Sequence, residues 1–211
     1  EGTPEMWEEA ETTMRGILND LHIPYVEAKG EAAFYGPKLD GQLKNVYGKE
    51  DTIVTVQIDM MLAQRFGMTY TDQNNQQITP YIIHRTSLGC YERTIALLIE
   101  KYAGALPLWL APEQVRVMPI TEDQNDYAEE IRKQLAKAGF RAASDLRFER
   151  IGFKIREAQT EKIPYMVVVG DKEKESGTVT VRDRRDGSQT SCTLEEFIAK
   201  IRVENDNKVC S

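Results

Sequence analysis

The sequence predicts an α+β region followed by a compact α/β domain with a mixed sheet. Three observations carry this reading. The run Asp51–Met60 is rich in β-branched residues (Thr52, Ile53, Val54, Thr55, Val56, Ile58), which favours a buried strand over a helix. The stretch Gly104–Pro112 (GALPLWLAP) holds a glycine and two prolines, and the hydrophobic period changes after it. Beyond that break, strand-like and helix-like segments alternate as β-α-β-α-β-β-α. The expected boundary divides the chain into 1–107 and 108–211.

In the first part, Met6, Ala10, Met14, Ile17, Leu18 and Leu21 recur at helical spacing, with Thr3 as N-cap and Pro4 at the first helical position. Ile23–Val26 reads as a short strand. Phe34–Lys38 reads as a turn between extended pieces, followed by a strand over Leu39–Val46. Asp72–Gln77 is a polar loop and Tyr81–Arg85 a strand. Glu92–Tyr102 is a helix, preceded by a turn at Gly89. In the second part, strands are expected at Val115–Met118, Arg141–Leu146, Tyr165–Val169 and Thr178–Asp183. Helices are expected at Asp123–Ala138 (closed by Gly139), Ile151–Lys162 and Leu194–Ile201. Thr193 and Glu196 form a capping box for the last of these. Arg185-Asp186-Gly187 marks a turn, and the tail after Val203 is polar and expected to fray.

The 211 residues carry a net charge of −7, spread unevenly. Residues 1–107 hold 9 basic and 15 acidic side chains, residues 108–211 hold 18 and 19. The acidic total argues against generic polyanion binding, so any RNA contact must use a local basic surface, and the second part has material for one. No apolar run approaches the ~18 residues of a membrane span. The first residues have no apolar signal core, and a start without Met suits a fragment. Cys90, Cys192 and Cys210 are odd in number and widely spaced, which gives no disulfide framework and no complete zinc site. A reducing cytoplasm is the expected compartment.

Four segments, in order, carry a specific resemblance. They are EAAFYGPKLD (Glu31–Asp40), TVQID (Thr55–Asp59) followed by Arg65-Phe66, IIHRTSLGCYERTIALLIEKYAGALPLWLAP (Ile82–Pro112) and GFKIREAQTEKIPYMVVVGDKEKESGTVTVR (Gly152–Arg182). Together they resemble the threonyl-tRNA synthetases. The third contains what looks like motif 3 of the class II enzymes. The resemblance implies the rear part of an antiparallel-sheet catalytic domain, then an anticodon-binding domain. Prolyl and glycyl enzymes share that layout, but the YGPK and IHR segments fit the threonyl family better.

The resemblance also implies roles. Arg93 matches the motif 3 arginine that binds ATP phosphate or stacks on adenine, a task suited to a planar, permanently charged guanidinium. Gly89 and Cys90 precede it in the nucleotide-binding stretch; Cys90 replaces a family serine. Lys38 and Gln57 match residues at the active site and the adenylate pocket, and Arg85 is expected to support the pocket through a carboxylate. Without the family, Lys38 is equally a loop residue and Gln57 a sheet residue paired with backbone. His84 matches a zinc ligand, although a lone histidine in an unknown sequence is more often a hydrogen-bonded core residue. The remaining ligands, a Cys and a His, would lie upstream; neither Cys90 nor His22 matches them. The family's Gln-Cys-Gly is Thr52-Ile53-Val54 here, which is expected to add bulk beside the substrate pocket. Glu173 and Arg182 match anticodon-reading positions, with Arg156 and Lys162 nearby. Arg182 and Arg184 have the spacing of one strand face, and Phe148 stands where the family has an asparagine.

The implied whole protein is a threonine–tRNA ligase using ATP, Mg2+ and Zn2+, with threonine and tRNA(Thr) as substrates, no membrane, and a homodimeric assembly through motif 1. Motifs 1 and 2 are not in this sequence, so the chain alone is expected to be inactive. The alternative is a non-catalytic truncated paralogue that binds tRNA or regulates a partner.

Overall fold

A computed structural model describes residues 2–210. The chain forms two units, Glu1–Leu97 and Leu98–Ser211.

The first unit opens with α1 (Pro4–Asp20), where the Thr3 hydroxyl accepts from the Met6 N–H at 3.3 Å and Pro4 fills the first turn. Next come β1 (Lys38–Lys44), β2 (Glu50–Asp59), the short helix α2 (Leu62–Arg65), β3 (Tyr70–Thr71), β4 (Gln77–Ile78) and β5 (Ile82–Arg85). β1, β2 and β5 form an antiparallel sheet in that order. The polar 72–77 segment is the turn and return of the small β3–β4 hairpin. Two expectations are corrected here. Ile23–Val26 is not a strand: it finds no sheet partner among the described residues, and Val26 is exposed. β2 is half-buried, with only Asp59 fully enclosed. The helix α3 (Tyr91–Tyr102) forms as expected, but Ile95 and Ile99 on its apolar stripe stay exposed.

The second unit contains β6 (Val115–Pro119), a 3-10 turn at Glu122–Gln124, α4 (Asn125–Lys137), β7 (Ala142–Ser144), α5 (Ile151–Thr160), β8 (Tyr165–Val169), α6 (Asp171–Ser176), β9 (Thr178–Asp183), β10 (Gln189–Thr193) and α7 (Leu194–Asp206). The strand order is β10-β9-β8-β6-β7; β6 runs parallel to β7 and β8, and β9 is antiparallel to both of its neighbours. The mixed α/β expectation therefore holds. Sequence reading missed α6 and β10, and β7 is shorter than expected.

Period-two alternation assigns the sheet's two faces. Val115, Val117, Tyr165, Val167, Val179 and Val181 face α4 and α7, where they pack with Ile131, Leu135, Phe197 and Ile201. Met118 and Met166 face the other way and pack with Ala158 of α5 and Ile163. The tail does not fray where expected. α7 continues to Asp206; Glu204 accepts from the Tyr165 hydroxyl at 2.6 Å, and Asn205 accepts from Gln114 at 3.0 Å. These buried polar partners keep the last turn helical. The capping box is present: Thr193 Oγ1 accepts from the Glu196 N–H at 3.2 Å, and Glu196 accepts from the Thr193 N–H at 2.9 Å. Thr193→Ala should therefore cost about 1 kcal/mol, seen as a lower urea midpoint with an unchanged slope.

Candidate functional site

The register of the first sheet gathers three of the expected site residues. Lys38 of β1 pairs with Gln57 of β2, and Gln57 pairs with His84 of β5. Directly paired residues on adjacent strands project to the same face, so the three side chains form one row across the sheet. Tyr35 closes the row. Its hydroxyl donates to Gln57 Oε1 at 2.6 Å, and its ring meets that of His84 edge-on with centroids 6.1 Å apart. The turn that brings Tyr35 there requires Gly36, because a Cβ at this position would lie 1.8 Å from the Ile58 carbonyl oxygen.

Two carboxylates support the row, each two residues along a strand from a member of it. Asp40 accepts from Lys38 Nζ at 2.7 Å and from Thr55 Oγ1 at 2.8 Å. This contact raises the Lys38 pKa, so the ammonium is held charged. Asp59 is buried; its Oδ1 accepts from the Met61 and Leu62 N–H groups at 2.9 and 2.8 Å, and its Oδ2 meets His84 Nε2 at 2.9 Å. Burial alone would raise the Asp59 pKa, but the bonds from His84, Leu62 and Met61 outweigh it and the net shift is downward. An ionised Asp59 can only accept, so Nε2 carries a proton, and in the neutral ring the lone pair lies on Nδ1. Sequence reasoning missed Asp40, Asp59 and the role of Tyr35. For Asp40 and Asp59 the signal was their i, i+2 spacing from Lys38 and Gln57.

Arg93 lies at the start of α3, and its Nη1 donates to the Thr52 carbonyl at 2.9 Å. Gly89 adopts φ +54° and comes closest to the Ile53 carbonyl; Cys90 is exposed, with Sγ 3.1 Å from Glu92 Oε2. Val54 pairs with Gly41 on the face opposite Gln57, and the absent side chain of Gly41 makes room for it. The bulk expected beside the pocket therefore falls on the far face of β2. Arg85 is exposed and also projects away from His84, so it does not support the row. His22 Nδ1 bonds the Asn19 carbonyl at the end of α1.

In the second unit, Thr180 and Arg182 of β9 project to the side opposite the main core, next to Ser191 and Gln189 of β10. Glu173 joins them: its Oε1 accepts from Thr180 Oγ1 at 2.8 Å and its Oε2 from the Gly170 N–H at 2.9 Å. Burial would raise its pKa, but these bonds win and lower it, keeping the carboxylate ionised. Arg182 Nε is buried and has no hydrogen-bond partner among the described residues. Arg156 is exposed on α5, and Phe148 is exposed in the loop before it. Lys162 ends α5 in a left-handed conformation, with Nζ bonded to the Ala103 carbonyl. Arg184 does not share an open face with Arg182. It lies past the end of β9, and its guanidinium is committed to the carbonyls of Lys162, Ala105 and Leu106.

Two family models match the chain in succession. Residues 1–102 match the class II tRNA synthetase core domain (G, H, P, S and T), and residues 114–204 match the anticodon binding domain. The fold and these matches define a class II aminoacyl-tRNA synthetase core segment joined to an anticodon-binding domain. Threonine–tRNA ligases from Clostridium perfringens and Clostridium botulinum are 54% and 55% identical over 97% and 95% of the chain, which covers 32% and 31% of their lengths. The crystal structure described as the RNA binding domain of threonyl-tRNA synthetase from Cryptosporidium parvum superposes with a TM-score of 0.88 at 35% identity, over 97% of this chain and 52% of that one. The chain belongs to the threonyl-tRNA synthetase family, and it spans about a third of the length of the curated relatives it matches.

Proposed function

We propose that the whole protein is a cytoplasmic threonine–tRNA ligase. In this reading residues 1–107 complete its catalytic domain, and residues 108–211 read the anticodon of tRNA(Thr). The observation that carries it is the single row of Lys38, Gln57 and His84, with each end held by a buried or half-buried carboxylate. Such a row places a fixed cation, an amide and an imidazole lone pair on one surface, which suits an anionic substrate and its adenylate.

The reaction has two steps. The threonine carboxylate attacks the α-phosphate of Mg2+-bound ATP and releases pyrophosphate; the terminal ribose hydroxyl of tRNA then attacks the carbonyl and releases AMP. Arg93 stabilises the nucleotide by charge and by its planar face, Lys38 offsets developing negative charge, and Gln57 orients the adenylate. Gly89 and Cys90 shape the turn beside the nucleotide. Among the described residues no group of three His, Cys, Asp or Glu could hold a metal. His84 nevertheless fits one place in a zinc shell. In the neutral ring Nδ1 would offer the lone pair, and Asp59 fixes the ring from behind through Nε2, as carboxylates do for metal-bound histidines. When bound, zinc would supply a contact for the threonine amino and hydroxyl groups that valine cannot match. The other ligands, and the homodimer contact, would come from outside these residues.

Glu173, Arg182 and Arg156 form the proposed RNA surface; Arg182 Nε, buried without a hydrogen-bond partner among the described residues, would meet a base or phosphate once the side chain turns outward. Lys162 contributes only if its ammonium leaves the Ala103 carbonyl. Among the described residues no helix is long and apolar enough to cross a membrane.

The test has two arms. The whole protein should support threonine-dependent exchange of pyrophosphate into ATP, and the isolated chain should not. The chain should bind tRNA(Thr) more tightly than a non-cognate tRNA, less tightly at higher salt, and about 1–3 kcal/mol more weakly after Arg182→Ala. Equal binding of both tRNAs, or none, would remove the anticodon assignment.

A further inference from the structure

Strand β2 carries one residue more than its partner. Gly41 pairs with Val54 and Gln42 with Thr52, so Ile53 has no counterpart on β1. Along a regular strand successive carbonyls point to opposite edges, and a bulge breaks that alternation. The carbonyls of Thr52 and Ile53 both face residues 89–93. Arg93 Nη1 donates to the Thr52 oxygen at 2.9 Å, and a Cβ on Gly89 would lie 2.5 Å from the Ile53 oxygen. Just before this, Thr86 grips the same edge. Its N–H donates to the Thr55 carbonyl at 3.0 Å, and its hydroxyl accepts from the Thr55 N–H at 3.0 Å. Where β5 ends, the chain is thus held on β2 first by a side chain, then by a glycine packed on one bulge carbonyl, then by an arginine bonded to the other.

We propose that the Ile53 bulge is a positioning element for Arg93, setting the guanidinium by one N–H and leaving its other donors and its planar faces for the nucleotide. This rests on the assignment of Arg93 to ATP. A guanidinium carries five N–H donors in a rigid fork, so a single bond to a fixed carbonyl restricts the group without using it up. In a regular β2 without Ile53, a single carbonyl instead of two would face residues 89–93, in the place packed on Gly89, and Arg93 would lose its separate anchor. Gly89 has a matching constraint. At φ +54° and in this proximity, any side chain would push the 89–93 segment off the bulge.

The experiment uses the whole protein and measures equilibrium ATP binding together with KM for ATP, threonine and tRNA. The variants are Arg93→Ala, deletion of Ile53, Gly89→Ala, and each of the last two combined with Arg93→Ala. Removing the bulge or adding the Gly89 methyl should weaken ATP binding about 10-fold, with KM for threonine and tRNA unchanged and no further loss on top of Arg93→Ala, as expected for groups acting as one unit. Additive losses in the double variants would overturn the proposal, as would unchanged ATP binding in the single ones. If Arg93→Ala alone leaves ATP binding intact, the assignment of Arg93 itself fails, a separable result. Unchanged tRNA binding by the second unit and unchanged circular dichroism identify folded variants. If the Ile53 deletion does not fold, Gly89→Ala decides by the same criteria.

Discussion

Replacing Asp59 with Asn should lower threonine-dependent pyrophosphate exchange by the whole protein about 10- to 100-fold, the usual cost of losing a carboxylate behind a ligating histidine. The shape of the side chain is kept, and its oxygen can still accept from the Met61 and Leu62 N–H groups. The change falls on His84. An amide NH2 in place of Oδ2 faces Nε2 with a donor, so the imidazole moves its proton to Nδ1 and loses the lone pair that now points away from Asp59. The effect should appear in KM for threonine more than in KM for ATP. Asp59→Ala should fail differently, by leaving buried donors unsatisfied and costing about 2–4 kcal/mol of stability. The acid form of the same experiment has a definite sign. The folded pKa of Asp59 lies below its ordinary value. Its contribution to stability is therefore complete above the unfolded carboxylate pKa of about 3.9, and is lost as pH falls through the lower folded value. Acid unfolding of the wild type should steepen in that window, and Asp59→Asn should flatten it. An Asn variant with unchanged exchange kinetics would show that the ring's orientation does not matter to threonine.

The largest effect on the second unit should come from Phe197→Ala. Phe197 is 1% exposed, and it meets Tyr165 edge-to-face with ring centroids 5.5 Å apart. Truncation removes the transfer energy of a whole aromatic ring and leaves a cavity in the cluster that joins the sheet to α4 and α7, a cost of about 3–5 kcal/mol. That is a large part of the stability of an ordinary domain. Chemical denaturation followed by tRNA titration would check both consequences. A loss below 1 kcal/mol would mean that α7 can slide to refill the space. Phe197→Leu, which keeps most of the volume, should recover most of the midpoint and all of the tRNA affinity.

The elements legible in the sequence were those that carry their own signal. Thr3-Pro4 fixes where α1 begins, the β-branched run fixes β2, and the Thr193–Glu196 pair fixes where α7 begins. α6 escaped because Asp171–Ser176 has no apolar period; it is held by Glu173 reaching back to the Gly170 N–H. β10 escaped because Gln189–Thr193 is polar and becomes a strand by pairing with β9. Ile23–Val26 has strand-like residues and no strand to pair with. The same limit applies at the site. Lys38, Gln57 and His84 could be picked out one by one through resemblance, but their alignment is a property of register, which depends on two strand pairings and a bulge. The fate of Val54 also depends on register, since one step along the strand decides which face receives the extra methyl groups. Arg184 is the converse case. Its spacing from Arg182 suggested a shared surface, and the end of β9 at Asp183 turned it inward.

The alternation along β9 also bears on how such a domain can change. Val179, Val181 and Asp183 are buried, while Thr178, Thr180 and Arg182 between them are only partly so. Positions that hold the fold and positions proposed to meet RNA therefore interleave in sequence without competing for the same space. A lineage, or a designer, can rewrite every second residue of this strand and its neighbour and so retune which RNA is favoured, while the hydrophobic layer beneath sees no substitution. Divergence in recognition can then accumulate one outward residue at a time, each variant remaining a folded protein on which selection can act.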